Sequence, residues 1–155
     1  HPILCAITAI GLDHMAYLGD TLEAIAGEKA GIIKDNTPVV CHPAEEGVRR
    51  VFAEAAEKHH APLRQLSDDT ILYAACDAHG ATVSYRLSQE WQDVRLNLPG
   101  AHQIENAMSV LAMVEEVKQA LTEAGTKLLE LKRRLDEVSH EQCDLLDMLQ
   151  EILPK

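Results

Sequence analysis

Ile3-Leu4-Cys5-Ala6-Ile7-Thr8-Ala9-Ile10-Gly11 is the stretch on which the fold turns, with Leu12-Asp13-His14 immediately behind it. An unbroken apolar run halted by glycine reads as a parallel strand buried on both faces, because a strand with one wet face would alternate. A loop over residues 12–19 follows, and Asp20-Thr21-Leu22-Glu23 then offers an N-cap with Glu23 three residues on. That capping box predicts a helix to about Ile33. Pro38-Val39-Val40-Cys41 reads as a second short strand, and Pro43 suits the first position of a helix through Val48, Val51, Phe52 and Ala55 to about His59. Residues 61–66 and 70–75 read as further strands, and Asp77-Ala78-His79-Gly80 supplies turn chemistry. Residues 82–87 and 91–96 alternate, which predicts antiparallel strands, and Pro99-Gly100 breaks that pattern before a helix near Gln103. The expected fold class of residues 1–113 is therefore α/β: a mainly parallel sheet with helices, plus antiparallel strands.

Beyond residue 113 the texture changes. Positions 114, 117, 121, 124, 128, 131, 135, 138, 142, 145, 149 and 152 follow a 3-4 spacing, and all but Gln142 are apolar. This is a heptad pattern, so residues 114–155 are expected to form a helical tail of coiled-coil or bundle type. Gly125 would cost roughly 1 kcal/mol inside a helix, and Ser139-His140-Glu141-Gln142 offers a fresh capping box. One continuous helix and a set of shorter packed helices both remain open. Wet, the leucine stripe would forgo about 1.5–3 kcal/mol for each side chain that could be buried. The tail is therefore expected to associate with a second copy or with the α/β domain, antiparallel or bundle-like.

The 155 residues carry 14 Lys and Arg against 25 Asp and Glu, a net charge of −11. That balance disfavours general nucleic-acid or anionic-membrane binding, though a local basic pocket can still hold a phosphate. No apolar run approaches the roughly 20 residues that span a bilayer. Cys5, Cys41, Cys76 and Cys143 are widely spaced with no C-x-x-C pair, as expected of reduced thiols in a cytoplasmic protein. The first residue is His1, so the chain is expected to begin inside a longer protein or to have been processed.

Two segments can carry chemistry. The first strand delivers Asp13 and His14 at its C-terminal end, where α/β sheets bind ligands. His14 there is either a metal or anion ligand or a turn residue bonded to backbone. Lys29 lies on a helix among Ile25, Ala26, Ala30, Ile32 and Ile33. Desolvated, its neutral amine can take up carbon dioxide as a carbamate and become a carboxylate-like metal ligand. The plainer alternative pairs Lys29 with Glu28 or Glu23. The second segment is Leu98-Pro99-Gly100-Ala101-His102-Gln103-Ile104-Glu105-Asn106-Ala107. Gln103 and Asn106 are three apart on one helix face, placed either to meet a ligand with their amides or to cap the helix.

Taken in order, I-T-A-I-G-L-D-H, L-G-D-T-L-E-A-I-A-G-E-K-A-G-I-I-K and L-P-G-A-H-Q-I-E-N-A resemble folylpolyglutamate synthase/dihydrofolate synthase, of the Mur ligase superfamily. The resemblance is close over residues 4–41 and good over 97–113. It implies a partial central ATPase domain of an ATP-dependent amide ligase with ATP and Mg2+ as cofactors. In such a ligase a carboxylate of dihydropteroate or folate becomes an acyl phosphate, and the amino group of glutamate then attacks it. By the same resemblance His14 is a magnesium ligand, Lys29 a carbamylated lysine organising a second magnesium site, and Asn106 a nucleotide contact with Gln103 beside it.

The departures are as informative. No G-x-x-x-x-G-K-[ST] occurs in the 155 residues, so the phosphate-cradling loop of the family is missing from them. The family's further magnesium-binding glutamate and its C-terminal domain are missing too, and residues 114–155 carry no ligase motif. The chain alone is thus expected to be inactive. The competing expectation is an interaction protein whose tail is the working part beside a relic ligase segment. A zinc module built on Cys41, His42, His59 and His60 is a third reading, poorly matched to any ligand spacing.

Overall fold

The computed structural model describes the backbone of residues 2–10 and 21–152, and the side chains among them up to residue 138. Two compact units divide the chain, His1–Val117 and Lys118–Lys155.

In the first unit, β1 (Cys5–Ile7), β2 (Val39–Cys41) and β3 (Leu63–Gln65) form a parallel sheet in that order, with Cys5 opposite Val39 and Val39 opposite Leu63. Helices α1 (Leu22–Ala30) and α2 (Glu46–Lys58) make the two crossovers. Successive crossovers of one hand, stepping the same way across a sheet, place their helices on the same face. Accordingly Cys5, Ile7, Val39 and Cys41 share one core with Ala26, Phe52 and Ala56 of α1 and α2. Val40, one residue out of phase, points to the opposite face and a second core. The central strand is buried throughout, as its Val-Val-Cys sequence requires.

That second core is closed by an antiparallel sheet and a third helix. Strands β4 (Ile71–Asp77), β5 (Gly80–Arg86) and β6 (Glu90–Leu96) pair in order, and α3 spans Ala101–Ile152. Ala81, Val83 and Tyr85 of β5 meet Ile104, Met108 and Ala112 of α3. Gly80, in the β4–β5 turn, has φ +153, and a Cβ there would collide with the carbonyl oxygen of Leu96. Glu115 ties α3 to both sheets. Its carboxylate accepts from Arg64 Nη2 on β3 at 2.9 Å, Trp91 Nε1 on β6 at 2.8 Å and the Ser88 N–H at 3.0 Å. Burial alone would raise this carboxyl from its ordinary 4.5, but the bonds from Trp91, Ser88 and Arg64 outweigh burial and hold it at about 2.

The α/β class holds, and the differences lie at the ends of elements. The apolar run of residues 3–10 contributes only Cys5–Ile7 to the ladder, because β2 offers three partners. Helix α1 is capped by Thr21, whose Oγ1 accepts from the Ala24 N–H at 3.2 Å, and it ends at Ala30 instead of Ile33. Asp20 lies outside the described residues. Pro43 does not open α2; that helix starts at Glu46 after an extended Glu45.

In the second unit, residues 118–152 belong to the uninterrupted helix α3, so neither Gly125 nor Ser139 breaks it. Pairs of Arg133 and Arg134 with Glu130, and of Arg133 with Glu137, link successive turns at solvent-exposed positions. The expected stripe is exposed where side chains are described: Leu121 67%, Leu128 68%, Leu131 62% and Leu135 69%. The expectations for Gln142, Leu145, Leu149 and Ile152 fall outside the described side chains.

Candidate functional site

The C-terminal edge of the parallel sheet gathers the loops after β1, β2 and β3, where ligand sites of open α/β sheets are built. Lys29, in the last turn of α1, reaches back to this edge, and its Nζ donates to the carbonyl oxygen of Ala9 at 3.3 Å. The expected pairing with Glu28 or Glu23 is not formed among the described residues. His14, the other residue expected at a metal site, lies outside the described residues together with Asp13. Ala9 precedes His14 by five residues, so Lys29 is held at the strand end that leads into the D-H pair.

Gln103 and Asn106 come together at the start of α3. Gly100, at φ +114, turns the chain into the helix, and its carbonyl accepts from the Gln103 N–H at 3.0 Å. Asn106 Nδ2 donates to Gln103 Oε1 at 3.5 Å, and Gln103 Nε2 lies 3.1 Å from His102 Nε2. Both amides line a cleft of about 490 Å³ whose other walls include Leu96, Leu98, Ala107 and Leu111. Arg95, on the same cleft, is engaged with Asp77 at 3.2 Å. Both amides thus line a ligand-sized, mainly apolar space. Such a surface suits a flat heteroaromatic ring with polar edges.

The next arrangement was not legible from spacing. His42 follows β2 directly and is buried at 6% exposure. Its Nδ1 lies 3.0 Å from Ser109 Oγ and its Nε2 2.9 Å from Glu105 Oε2, both on α3. Ser109 Oγ also donates to the Glu105 carbonyl oxygen at 3.1 Å. From the antiparallel sheet, the buried Tyr85 hydroxyl donates to the Ile104 carbonyl at 2.8 Å. The only hint in the sequence is a histidine at the end of a buried strand. The zinc reading fails on the same geometry: His42 is committed to α3, His59 to Asp35 at 2.5 Å, and burial pushes the Cys41 thiol up to about 12. No group of three or more metal-ligating side chains forms among the described residues. Nor is any helix among them long and apolar enough to cross a membrane.

A three-stranded parallel sheet flanked by helices, followed by an antiparallel sheet and a helix that close a second core, defines an α/β domain of Mur-ligase type. Residues 1–114 match the Mur ligase middle domain, and the chain belongs to that family. It is 42% identical over 115 residues to the dihydrofolate synthase/folylpolyglutamate synthase of Bacillus subtilis (strain 168), covering 72% of this chain and 26% of that protein. The Haemophilus influenzae protein of the same name is 35% identical over 139 residues, 87% of this chain and 28% of its own length. Among solved structures, Mycobacterium tuberculosis folylpolyglutamate synthase complexed with ADP superposes with a TM-score of 0.68 at 31% identity, covering 75% of this chain and 27% of that one. The chain thus spans about a quarter of the length of these relatives.

Proposed function

We propose that the chain supplies part of the nucleotide-binding core of an ATP-dependent ligase that joins glutamate to dihydropteroate or folate in the cytoplasm. The observation that carries this reading is the pair Gln103 and Asn106 on one wall of a mainly apolar cleft. The cleft suits an adenine ring, and the two amides would hold its polar edge. ATP supplies the phosphoryl group that activates the carboxylate, while this chain's share is to fix and orient the nucleotide. The reading is supported by the resemblance of residues 98–107 and by the names of the relatives. Residues 1–113 are the ligase portion in this proposal, and 114–155 a separate helical module.

His14 and Lys29 would hold magnesium, which neutralises charge on phosphate oxygens when bound. Lys29 is half-buried at the edge that leads into His14. Once the Lys29 ammonium has given one proton to solvent, attack of the neutral amine on carbon dioxide would form an N–C bond. One C=O π bond would become a C–O− as a second proton leaves, turning a cation into an anionic oxygen ligand. Lys29→Ala in the complete ligase is expected to lose most of the rate, with partial rescue by short carboxylates; full activity would refute the role. Without the phosphate-cradling loop, the 155 residues alone are expected to yield no ADP above a buffer blank.

Saturation-transfer difference NMR with ATP tests the cleft in the isolated chain. Adenine protons are expected to receive more saturation than ribose protons, and Asn106→Ala is expected to weaken binding about tenfold, the loss of roughly one hydrogen bond. An unchanged adenine signal in Asn106→Ala would overturn the assignment. One observation favours a second reading, a helical self-association module: Leu121, Leu128, Leu131 and Leu135 are more than half exposed. Sedimentation equilibrium of the full chain beside Leu128→Glu/Leu131→Glu decides it, since a monomer in both rules out tail-driven assembly.

A further inference from the structure

The geometry points to His42 as a proton-operated positioning residue that sets the hydrogen bonding of the first turns of α3, and with it the presentation of the Asn106 amide to the cleft. This rests on the reading of that cleft as the nucleotide side of the site.

The inference follows from counting hydrogens. Ser109 Oγ carries one hydrogen and has two neighbours within bonding distance, His42 Nδ1 at 3.0 Å and the Glu105 carbonyl at 3.1 Å. When its hydrogen goes to the Glu105 carbonyl, Ser109 can only accept from His42, so Nδ1 must carry a proton. Nε2 faces a carboxylate oxygen at 2.9 Å and donates to it. Both ring nitrogens are then protonated and the ring is an imidazolium. When the imidazole is neutral, its one proton stays on Nε2, which donates to the Glu105 carboxylate, and Nδ1 becomes an acceptor. The Ser109 hydrogen then turns from the helix carbonyl to the histidine. Gain or loss of one proton on His42 therefore moves one hydrogen bond between the backbone of α3 and the end of β2.

The moved bond lies where it matters. Glu105 stands between Gln103 and Asn106, and its carbonyl is the acceptor that Ser109 gains or gives up. The preceding carbonyl, of Ile104, is fixed from the other sheet by Tyr85. His42 is buried, but Glu105 is half-exposed and lines a second cleft of about 510 Å³, which gives the proton a route to solvent. The charged groups on that cleft are Glu45 and Arg49 of α2, Asp68 and Asp69 of the turn before β4, and Glu105. Carboxylates outnumber the single guanidinium, whose Nε is engaged with Gln65 at 3.1 Å. Cys41, the neighbour on β2, stays a neutral thiol because burial holds it at about 12.

The test uses the nitrogen-15-labelled 155-residue chain without nucleotide. Long-range spectra of the His42 ring and the side-chain amide signal of Asn106 are followed from about pH 5 to 8, the range in which imidazole changes charge. His102 is a second imidazole in contact with Gln103, so every sample carries His102→Ala to leave His42 as the one imidazole beside this helix turn. The Asn106 signal is expected to move with the same midpoint as the His42 nitrogens. In His42→Gln that movement is expected to vanish. In Ser109→Ala, which keeps the histidine, His42 is expected to titrate while Asn106 no longer follows. An Asn106 signal that is flat across the His42 transition, or still titrates in His42→Gln, overturns the proposal. One that follows His42 undiminished in Ser109→Ala also overturns it, since a bare Coulomb field would then suffice. With no nucleotide in the sample, these outcomes are independent of the Asn106→Ala binding test.

Discussion

Glu115 offers a direct test of what holds the first unit together. Its side chain is only 9% exposed and accepts from Arg64, Trp91 and the Ser88 N–H, which brings β3, β6 and α3 to one carboxylate. A carboxyl that titrates at its ordinary 4.5 when unfolded and at about 2 when folded favours the folded state by the difference. At about 1.36 kcal/mol for each pH unit, that is on the order of 3 kcal/mol. Because the folded value is the lower one, the contribution is complete above 4.5 and is lost as pH falls from there through about 2. Glu115→Gln keeps the shape but discards the charge, so it is expected to cost about 2–3 kcal/mol at neutral pH. Trp91 is the only tryptophan in the chain, so urea unfolding followed by its emission reports this unit directly. The gap between parent and variant should shrink steadily on acidification below about pH 4.5. A variant within about 0.5 kcal/mol of the parent at pH 7, or a gap that ignores pH, would refute the reasoning.

Tyr85→Phe removes the hydroxyl that meets the Ile104 carbonyl in the second core; a loss of about 1–2 kcal/mol in the same urea assay is expected, and no loss would mean that bond is dispensable. Gly125→Ala places a methyl group in open space within an uninterrupted helix, so thermal melting by far-UV circular dichroism should show the tail stabilised by about 1 kcal/mol. An unchanged or lower melting midpoint would show that Gly125 does not sit in a regular helix.

Much of the fold was legible because burial imposes periodicity. The continuous apolar run at residues 3–10 marked a strand covered on both faces, and alternation in residues 82–87 and 91–96 marked an antiparallel pair. What failed were the ends, which are fixed by partners distant in sequence. The run from Ile3 outlasts its ladder because β2 supplies three partners. Pro43 has the dihedral preference of a helix start, but the preceding His42 is held by α3, so residues 43–45 carry the chain from the sheet edge before α2 begins. The tail carried two break signals, and neither prevailed. The glycine penalty of roughly 1 kcal/mol is small beside the propagation and ion pairing of a long helix.

The juxtaposition of Gln103 and Asn106 was legible because one short segment holds both, and a juxtaposition was illegible where no such segment does. His42 stands 63 residues from Glu105 and 67 from Ser109, separations that carry no spacing signal. The start of α3 shows why the three belong together. Ile104, Met108 and Ala112 form one face and fill the core. Glu105 and Ser109, one residue further round, meet His42, and Gln103 and Asn106 face the cleft. A helix turns about 100° per residue, so neither polar face can rotate without carrying the other, and the apolar face fixes both. Hydrophobic packing sets the rotation of α3 to within a rotamer's play, and the His42 bonds act on what remains. In the proposed switch, a single proton at the end of β2 thus reaches an amide on another face of the same helix turn.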